Sequence, residues 1–444
     1  MTADFTTDTD VNRGSFSQPN EDLTSKVEQP QSDSILAGYS VLAKSMIGSG
    51  MMLLASACAV SGWVLGLGLL FGAALCTFMS LYFLSAVSLL YHSSSSSLSY
   101  LRLCSELLPK RFRRVMDVAV ILKCIGASTA YLIFTGQCVS SIIVAYCGKT
   151  PMGLSETTIA RLVQCLAVVV LGYFCFCKQI SGTKVVNILG LLCMLYVTVL
   201  AVVKADFTAL INPTDTMYTS LGPISWTEAF DSLPKYIFAL TCHQNIFPVL
   251  DDMRQPSLKK TTKISLYAVL TGLSLFVLVI VFPYATFGNQ VKKNFLLSYL
   301  DSKAPSAWVS IGCVLASFAV AVSYPLQVIP CRRSIIALGW SSEGPKNEPL
   351  VRRIVSTAVI AMTLGLALAF PDKISNVISL TGLIGGNLIS YVMPCTLYII
   401  AVRRRLIQKH TIKFGVSILL LVLAIALYPL CLGATIMLAS AKKP

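Results

Sequence analysis

Charge is what this chain has least of: Asp, Glu, Lys and Arg make up 12% of its 444 residues, against 55% apolar ones. The net charge of +15 is carried by basic residues scattered through short stretches between apolar runs. A solvated face for nucleic acid has no place among them. Catalytic equipment is missing too. No nucleophile sits with an oriented base, no His/Cys/Asp/Glu cluster has metal-ligand spacing, and no glycine-rich loop is built for phosphate, so nothing points to an enzyme, a metal or a cofactor. Cys242 and His243 are neighbours in sequence, which assures no geometry for activating a thiol. The 15 cysteines fall almost entirely inside apolar runs and read as small buried hydrophobes; Cys147 stands alone in its loop. No cleavable signal peptide is expected ahead of the first apolar run.

What the chain has in plenty is apolar runs, at 35–60, 63–91, 115–145, 159–177, 184–203, 226–250, 264–287, 307–331, 351–370, 374–399 and 414–439. About 20 residues of helix span a hydrocarbon core of about 30 Å, and a helix satisfies its own backbone there. The expectation is an all-α integral membrane protein with eleven transmembrane helices. Residues 1–34 hold seven acidic side chains against Arg13 and Lys26, with few apolar residues, and should form a disordered cytosolic tail. With that tail in the cytosol, the cytosolic loops carry 21 Lys or Arg and the opposite side carries nine. The positive-inside rule favours this orientation, and an odd number of crossings leaves the C-terminus non-cytosolic. The loops on that side contain no Asn-x-Ser/Thr acceptor with x other than Pro.

One segment contradicts its surroundings. Residues 238–252 read FALTCHQNIFPVLDD, with Thr241, Cys242, His243, Gln244 and Asn245 in a row where lipid penalises polar groups. The first segment has a comparable fault, Lys44-Ser45-Met46-Ile47-Gly48-Ser49-Gly50, in which two glycines flank a serine. Each glycine costs about 1 kcal/mol against alanine inside a helix, so the pair marks either a break or a close contact between straight helices. The two faults are in the first and sixth segments. An offset of five helices makes these antiparallel, as two inverted five-helix repeats require: 35–203 and 226–399, separated by a non-cytosolic loop at 204–225, with 400–444 contributing an eleventh helix. Helices 1 and 6 are then the broken ones. Backbone donors around Ile47, Gly48, Ser49 and Gly50 can take a carboxylate, and carbonyls near Ala239, Leu240 and Thr241 can take an ammonium, with Cys242 and Asn245 alongside. An amino acid carries both groups on one carbon. Pro248, lacking an N–H, suits the first turn of the second half-helix.

At these residues the chain resembles the amino acid/auxin permeases, which include sodium-coupled, proton-coupled and vacuolar amino acid transporters. KSMIGSG at 44–50 is similar to the first-helix signature, TCHQNIFP at 241–248 to the sixth-helix signature, and AVSYPLQVIPCRR at 321–333 to the eighth helix. The likeness is greatest to the vacuolar and proton-coupled branches. It implies a LeuT-type fold and secondary active transport of amino acids. Sodium-coupled members have asparagine near the place of Lys44 and threonine near that of Ser323. A lysine there implies proton coupling, with its ammonium standing in for sodium; sodium coupling and a purely structural Lys44 remain alternatives. Many relatives carry a proline after the glycines where this chain has Ala55-Ser56, which leaves the position of the first break open.

Other polar residues have competing readings. His243 has the pKa range for proton coupling, or it hydrogen-bonds the unwound backbone as a neutral ring. Lys123 is read as snorkelling to the cytosolic surface near Asp117. Lys235 also has apolar neighbours in sequence, and Glu228 and Asp231 could draw a cationic side chain into a vestibule. Tyr131, Gln137, Ser323 and Tyr324 are candidates for the cavity wall. With no convincing carboxylate at mid-membrane, neutral substrates are slightly favoured. The serines at 93–97 read as a linker, and Arg403-Arg404-Arg405 as a topology signal. The expected partners are an amino acid and the lipid bilayer of a plasma or vacuolar/lysosomal membrane, with the protein a monomer. A transporter-like sensor that signals to cytosolic proteins is the alternative function.

Overall fold

The computed structural model describes residues 35–92, 99–147, 153–176, 183–207, 225–300, 306–340 and 347–441. The expected tail at 1–34, the serines at 93–97 and most of the loop at 204–225 lie outside the described residues. Within them the chain is helical and no strand occurs.

The apolar runs become helices because a helix hydrogen-bonds its own backbone, and polar caps mark their ends. The first half holds α1 (Ile35–Met46), α2 (Leu54–Ser61), α3 (Trp63–Leu90), α4 (Tyr100–Leu107), α5 (Lys110–Cys147), α6 (Glu156–Cys175) and α7 (Thr183–Val203). The second half holds α8 (Trp226–Leu240), α9 (Ile246–Asp251), α10 (Leu258–Phe287), α11 (Ala307–Ala321), α12 (Tyr324–Gly339), α13 (Glu348–Ala369), α14 (Ile374–Thr381), α15 (Met393–Arg403) and α16 (Thr411–Ala441). Ser257 accepts from Lys260 N at 3.3 Å, and Asn347 accepts from Leu350 N at 3.3 Å. These N-caps start α10 and α13 ahead of the apolar runs predicted at 264 and 351.

Ten helical stretches among the described residues are long and apolar enough to cross a membrane. The expected crossing that is absent from this set is 226–250. It is divided at Thr241 into a 15-residue helix and a 6-residue one, neither of them a full span. Two interruptions were not foreseen. α11 and α12 are separated by a turn at Val322 and Ser323, just before Pro325, whose missing N–H removes a ladder bond. Between α14 and α15 the backbone widens into π-helix at Gly382–Gly386 and Leu388–Val392.

Burial separates the inner helices from the outer ones. In the most apolar window of Ile35–Ser61, 78% of residues are buried, against 22% in that of Thr411–Leu438. The α1–α2 segment therefore lies inside the bundle, and α16 presents side chains such as Leu419, Val422 and Ile425 outward. α5, with 38 residues, is the central post, with α6, α11, α12, α13 and α14 packed along it.

Candidate functional site

Both sequence faults are breaks in the backbone. α1 ends at Met46, Ile47 and Gly48 leave the helix, a 3₁₀ turn runs from Ser49 to Leu53, and α2 starts at Leu54. Ser49 and Gly50, as the first residues of that turn, have no acceptor for their N–H groups within it, and no side chain caps it. The absent proline has no bearing on the break, which lies wholly before Ala55. In the other segment α8 stops at Leu240. Thr241 and Cys242 are unwound, a 3₁₀ turn covers His243–Asn245, and α9 follows with Pro248 in its first turn.

The breaks face each other. Asn245 Nδ2 donates to Ser45 Oγ at 2.6 Å, tying the end of α1 to the turn before α9. A Cβ on Gly50 would lie 2.9 Å from Ala239 Cα, so the absence of a side chain lets the two backbones meet. Both readings of the glycine pair hold: the helix is broken, and one of its glycines is also a close-packing point. Ser45, which the sequence reading passed over, is part of the junction. Thr241 Oγ1 donates to Ile237 O at 2.6 Å and accepts from Ser390 Oγ at 3.1 Å. Its hydroxyl is thus committed to the scaffold, while Gly48, Gln244 and Asn245 remain half-buried.

Lys44 is buried, with Nζ donating to Ser323 Oγ at 3.3 Å and to Ala319 O at 3.4 Å. Its stem crosses Gly190 of α7 so closely that a methyl group there would take the place of Lys44 Cε. Lys44 therefore bridges α1, α7 and the α11–α12 turn, and does not reach the membrane surface. Ser323 stands at the unforeseen turn and also donates to Ala319 O at 3.0 Å. His243 is fully buried, its Nε2 2.7 Å from Ser80 Oγ on α3. The expected bond to unwound backbone is replaced by one to a hydroxyl of a neighbouring helix, because the 3₁₀ turn aims the ring at α3.

The profile of the family described as "Transmembrane amino acid transporter protein" matches residues 31–437. The chain belongs to this family. The transporter is 24% identical over 366 residues to vacuolar amino acid transporter 5 of Schizosaccharomyces pombe, covering 80% of this chain and 82% of that one. It is 20% identical to vacuolar amino acid transporter 5 of Saccharomyces cerevisiae, over 81% of this chain and 87% of the relative. A third relative, sodium-coupled neutral amino acid transporter 7 of Mus musculus, is 27% identical over 79% of this chain and 75% of its own. Such proteins carry amino acids across membranes and are not enzymes.

Several polar residues of the transporter sit otherwise than expected. Lys123 does not snorkel. It is 4% exposed, and its Nζ donates to Gln327 Oε1 of α12 at 3.1 Å. Six residues of helix separate it from Asp117 by about 9 Å of rise and turn it to another face. Lys235 pairs with Asp231 at 3.2 Å, and the other Asp231 oxygen accepts from Thr435 of α16 at 2.9 Å, so this carboxylate is a scaffold group. Glu228 is half-buried at the start of α8. Tyr324 OH shares a hydrogen bond of 2.8 Å with Thr363 of α13, away from the breaks, whereas Tyr131 OH accepts from Gln327 Nε2 at 3.4 Å beside Lys123. Gln137 donates to Pro371 O at 2.9 Å and lines a separate cavity of about 290 Å³ with Ser140, Glu156, Lys292, Leu297, Asp372 and Ile374.

Proposed function

We propose that the transporter binds its amino acid between the two breaks and works by alternating access, with proton coupling through Lys44. The carrying observation is the contact of the breaks themselves, Asn245 on Ser45 and Gly50 against Ala239. In this reading the free N–H groups of Gly48, Ser49 and Gly50, with Ile47 beside them, take the α-carboxylate. The carbonyls at Ala239, Leu240 and Thr241 take the α-amino group, and Cys242 and Asn245 form the adjoining wall. The segment 226–251 counts as a broken sixth crossing. That makes eleven, arranged as inverted repeats 35–203 and 226–399 plus a last helix in a LeuT-type fold.

Lys44, His243 and Ser323 are the coupling group. The Lys44 ammonium lies between α1 and the α11–α12 turn on the oxygens of Ala319 and Ser323, the kind of ligand a sodium ion would use, so a second cation there would be repelled. This supports protons over sodium. The names of the fungal relatives support a vacuolar membrane, with the plasma membrane the other location, and neutral substrates fit breaks that have no carboxylate beside them among the described residues.

Reconstitution in liposomes tests the reading. Uptake of labelled amino acids is expected under an imposed proton gradient and not under a sodium gradient alone. Sodium dependence would overturn the coupling assignment while sparing the site, and amino acid binding without uptake under either gradient would replace transport by sensing.

A further inference from the structure

Two ammonium groups are buried next to the breaks, and neither pairs with a carboxylate among the described residues. Lys44 has two oxygens at its head. Lys123 has one hydrogen-bond acceptor among the described residues, the neutral amide oxygen of Gln327, although an ammonium offers three donors. Its depth is fixed by a pair of glycines in the π segment. Gly385 backs directly onto Lys123 Cβ, and a Cβ on the next residue, Gly386, would lie 3.2 Å from Thr241 Oγ1. Consecutive Cα atoms are about 3.8 Å apart, so Lys123 lies level with the unwound stretch of the sixth segment. Ser323, the N-cap of α12, and Gln327 within it are one turn apart on one face. That face meets Lys44 at Ser323 and Lys123 at Gln327. Gln327, Ser323 and Tyr131 are half-buried despite their depth, which leaves the Lys123 contact at the edge of accessible space.

A buried charge held by a single neutral dipole lacks the partner that would offset its desolvation. Ion pairs seen among the described residues lie elsewhere: Asp231 with Lys235 and Glu348 with Arg352, and Asp251 lies 3.9 Å from His92. A carboxylate on the cargo would supply the partner that the ammonium lacks. We propose that the transporter's substrate is an amino acid with an anionic side chain, whose side-chain carboxylate pairs with Lys123 while its α-carboxylate and α-amino group are held at the breaks. This rests on the transport reading above and goes further by naming the substrate class. It also moves the preference from neutral toward acidic substrates, because Lys123 is buried where the sequence alone placed it at the surface. Amino acids with cationic side chains are excluded by the same field.

Full-length protein in liposomes gives the test, using L-glutamate and L-aspartate against their isosteric amides L-glutamine and L-asparagine, with L-lysine as the cationic probe. The acids are expected to compete for uptake at least about tenfold better than the amides, as a charge-assisted pair replaces a neutral one, and lysine to compete least. Lys123→Gln is expected to erase the difference between acid and amide, and Lys123→Arg to keep it. The wild-type comparison needs no variant to fold. Amides carried as well as the acids or better would overturn the proposal and leave amino acid transport standing; no uptake or binding of any amino acid would remove the transport reading and this one together.

Discussion

Lys44 shows how a single side chain can be held on three elements at once: its root on α1, its stem over Gly190 and its head on Ala319 and Ser323. Removing the charge while keeping a polar tip tests the coupling role. Lys44→Gln is expected to lower proton-driven accumulation by about tenfold or more, while exchange of labelled for unlabelled substrate continues; uptake that kept its full response to the gradient would remove Lys44 from coupling. Gly190→Ala leaves every charge in place and displaces the stem. It is expected to cost about 1–3 kcal/mol as overpacking and to weaken gradient-driven uptake as Lys44→Gln does. Combined with Lys44→Ala the same substitution should cost almost nothing more, because the space it needs has been vacated, and thermal unfolding of the four forms measures that coupling directly. His243, closed in against Ser80, is tested in the same way: His243→Asn is expected to flatten the pH dependence of uptake, and full retention of that dependence would remove the ring from coupling and assign it to bracing α3 against the turn.

At the scale of elements, the site is a junction between two half-helices that no regular ladder holds together. The Asn245–Ser45 bond spans 200 positions in sequence and links α1 to the turn before α9. Asn245→Ala and Ser45→Ala are each expected to cost about 0.5–1.5 kcal/mol, and the pair together no more than one of them; additive losses in thermal unfolding would show that the bond is not what the two residues share. Both breaks were legible in the sequence because local composition carries them: glycines at mid-helix in one, five polar residues in the other. The turn at Val322–Ser323 and the π segment at Gly382–Gly386 were not, since an apolar window registers hydrophobicity and not a slip in the hydrogen-bond ladder. Ser45 and Gln327 were missed for a related reason, as the partners that give them meaning are about 200 positions away. Lys123 was misread because nearness to Asp117 along the chain was taken for nearness in space, which helical rise and rotation forbid.

For the whole molecule, the status of the broken segment decides the architecture. Ten crossings would place both termini on the same side of the membrane; counting 226–251 as a further crossing places them on opposite sides, and only that count makes the first and sixth segments antiparallel. The charge distribution, 21 basic residues in loops on one side and nine on the other, assumes the same parity. Tags at the two ends of the chain in sealed, oriented vesicles measure it. The N-terminal tag is expected to be protected from external protease when the cytosolic face is inside, and the C-terminal tag to be cut. The exposed thiol of Cys147, at the end of α5, supplies an internal reference: an impermeant maleimide should reach it from the side that exposes the C-terminus. Termini on a common side would make 226–251 a re-entrant hairpin, abolish the inverted repeat and leave the α-amino group without its ring of carbonyls. Opposite sides would set the freed N–H groups at the start of the turn before α2 against the freed carbonyls at the end of α8, an arrangement in which the two meet across one zwitterion.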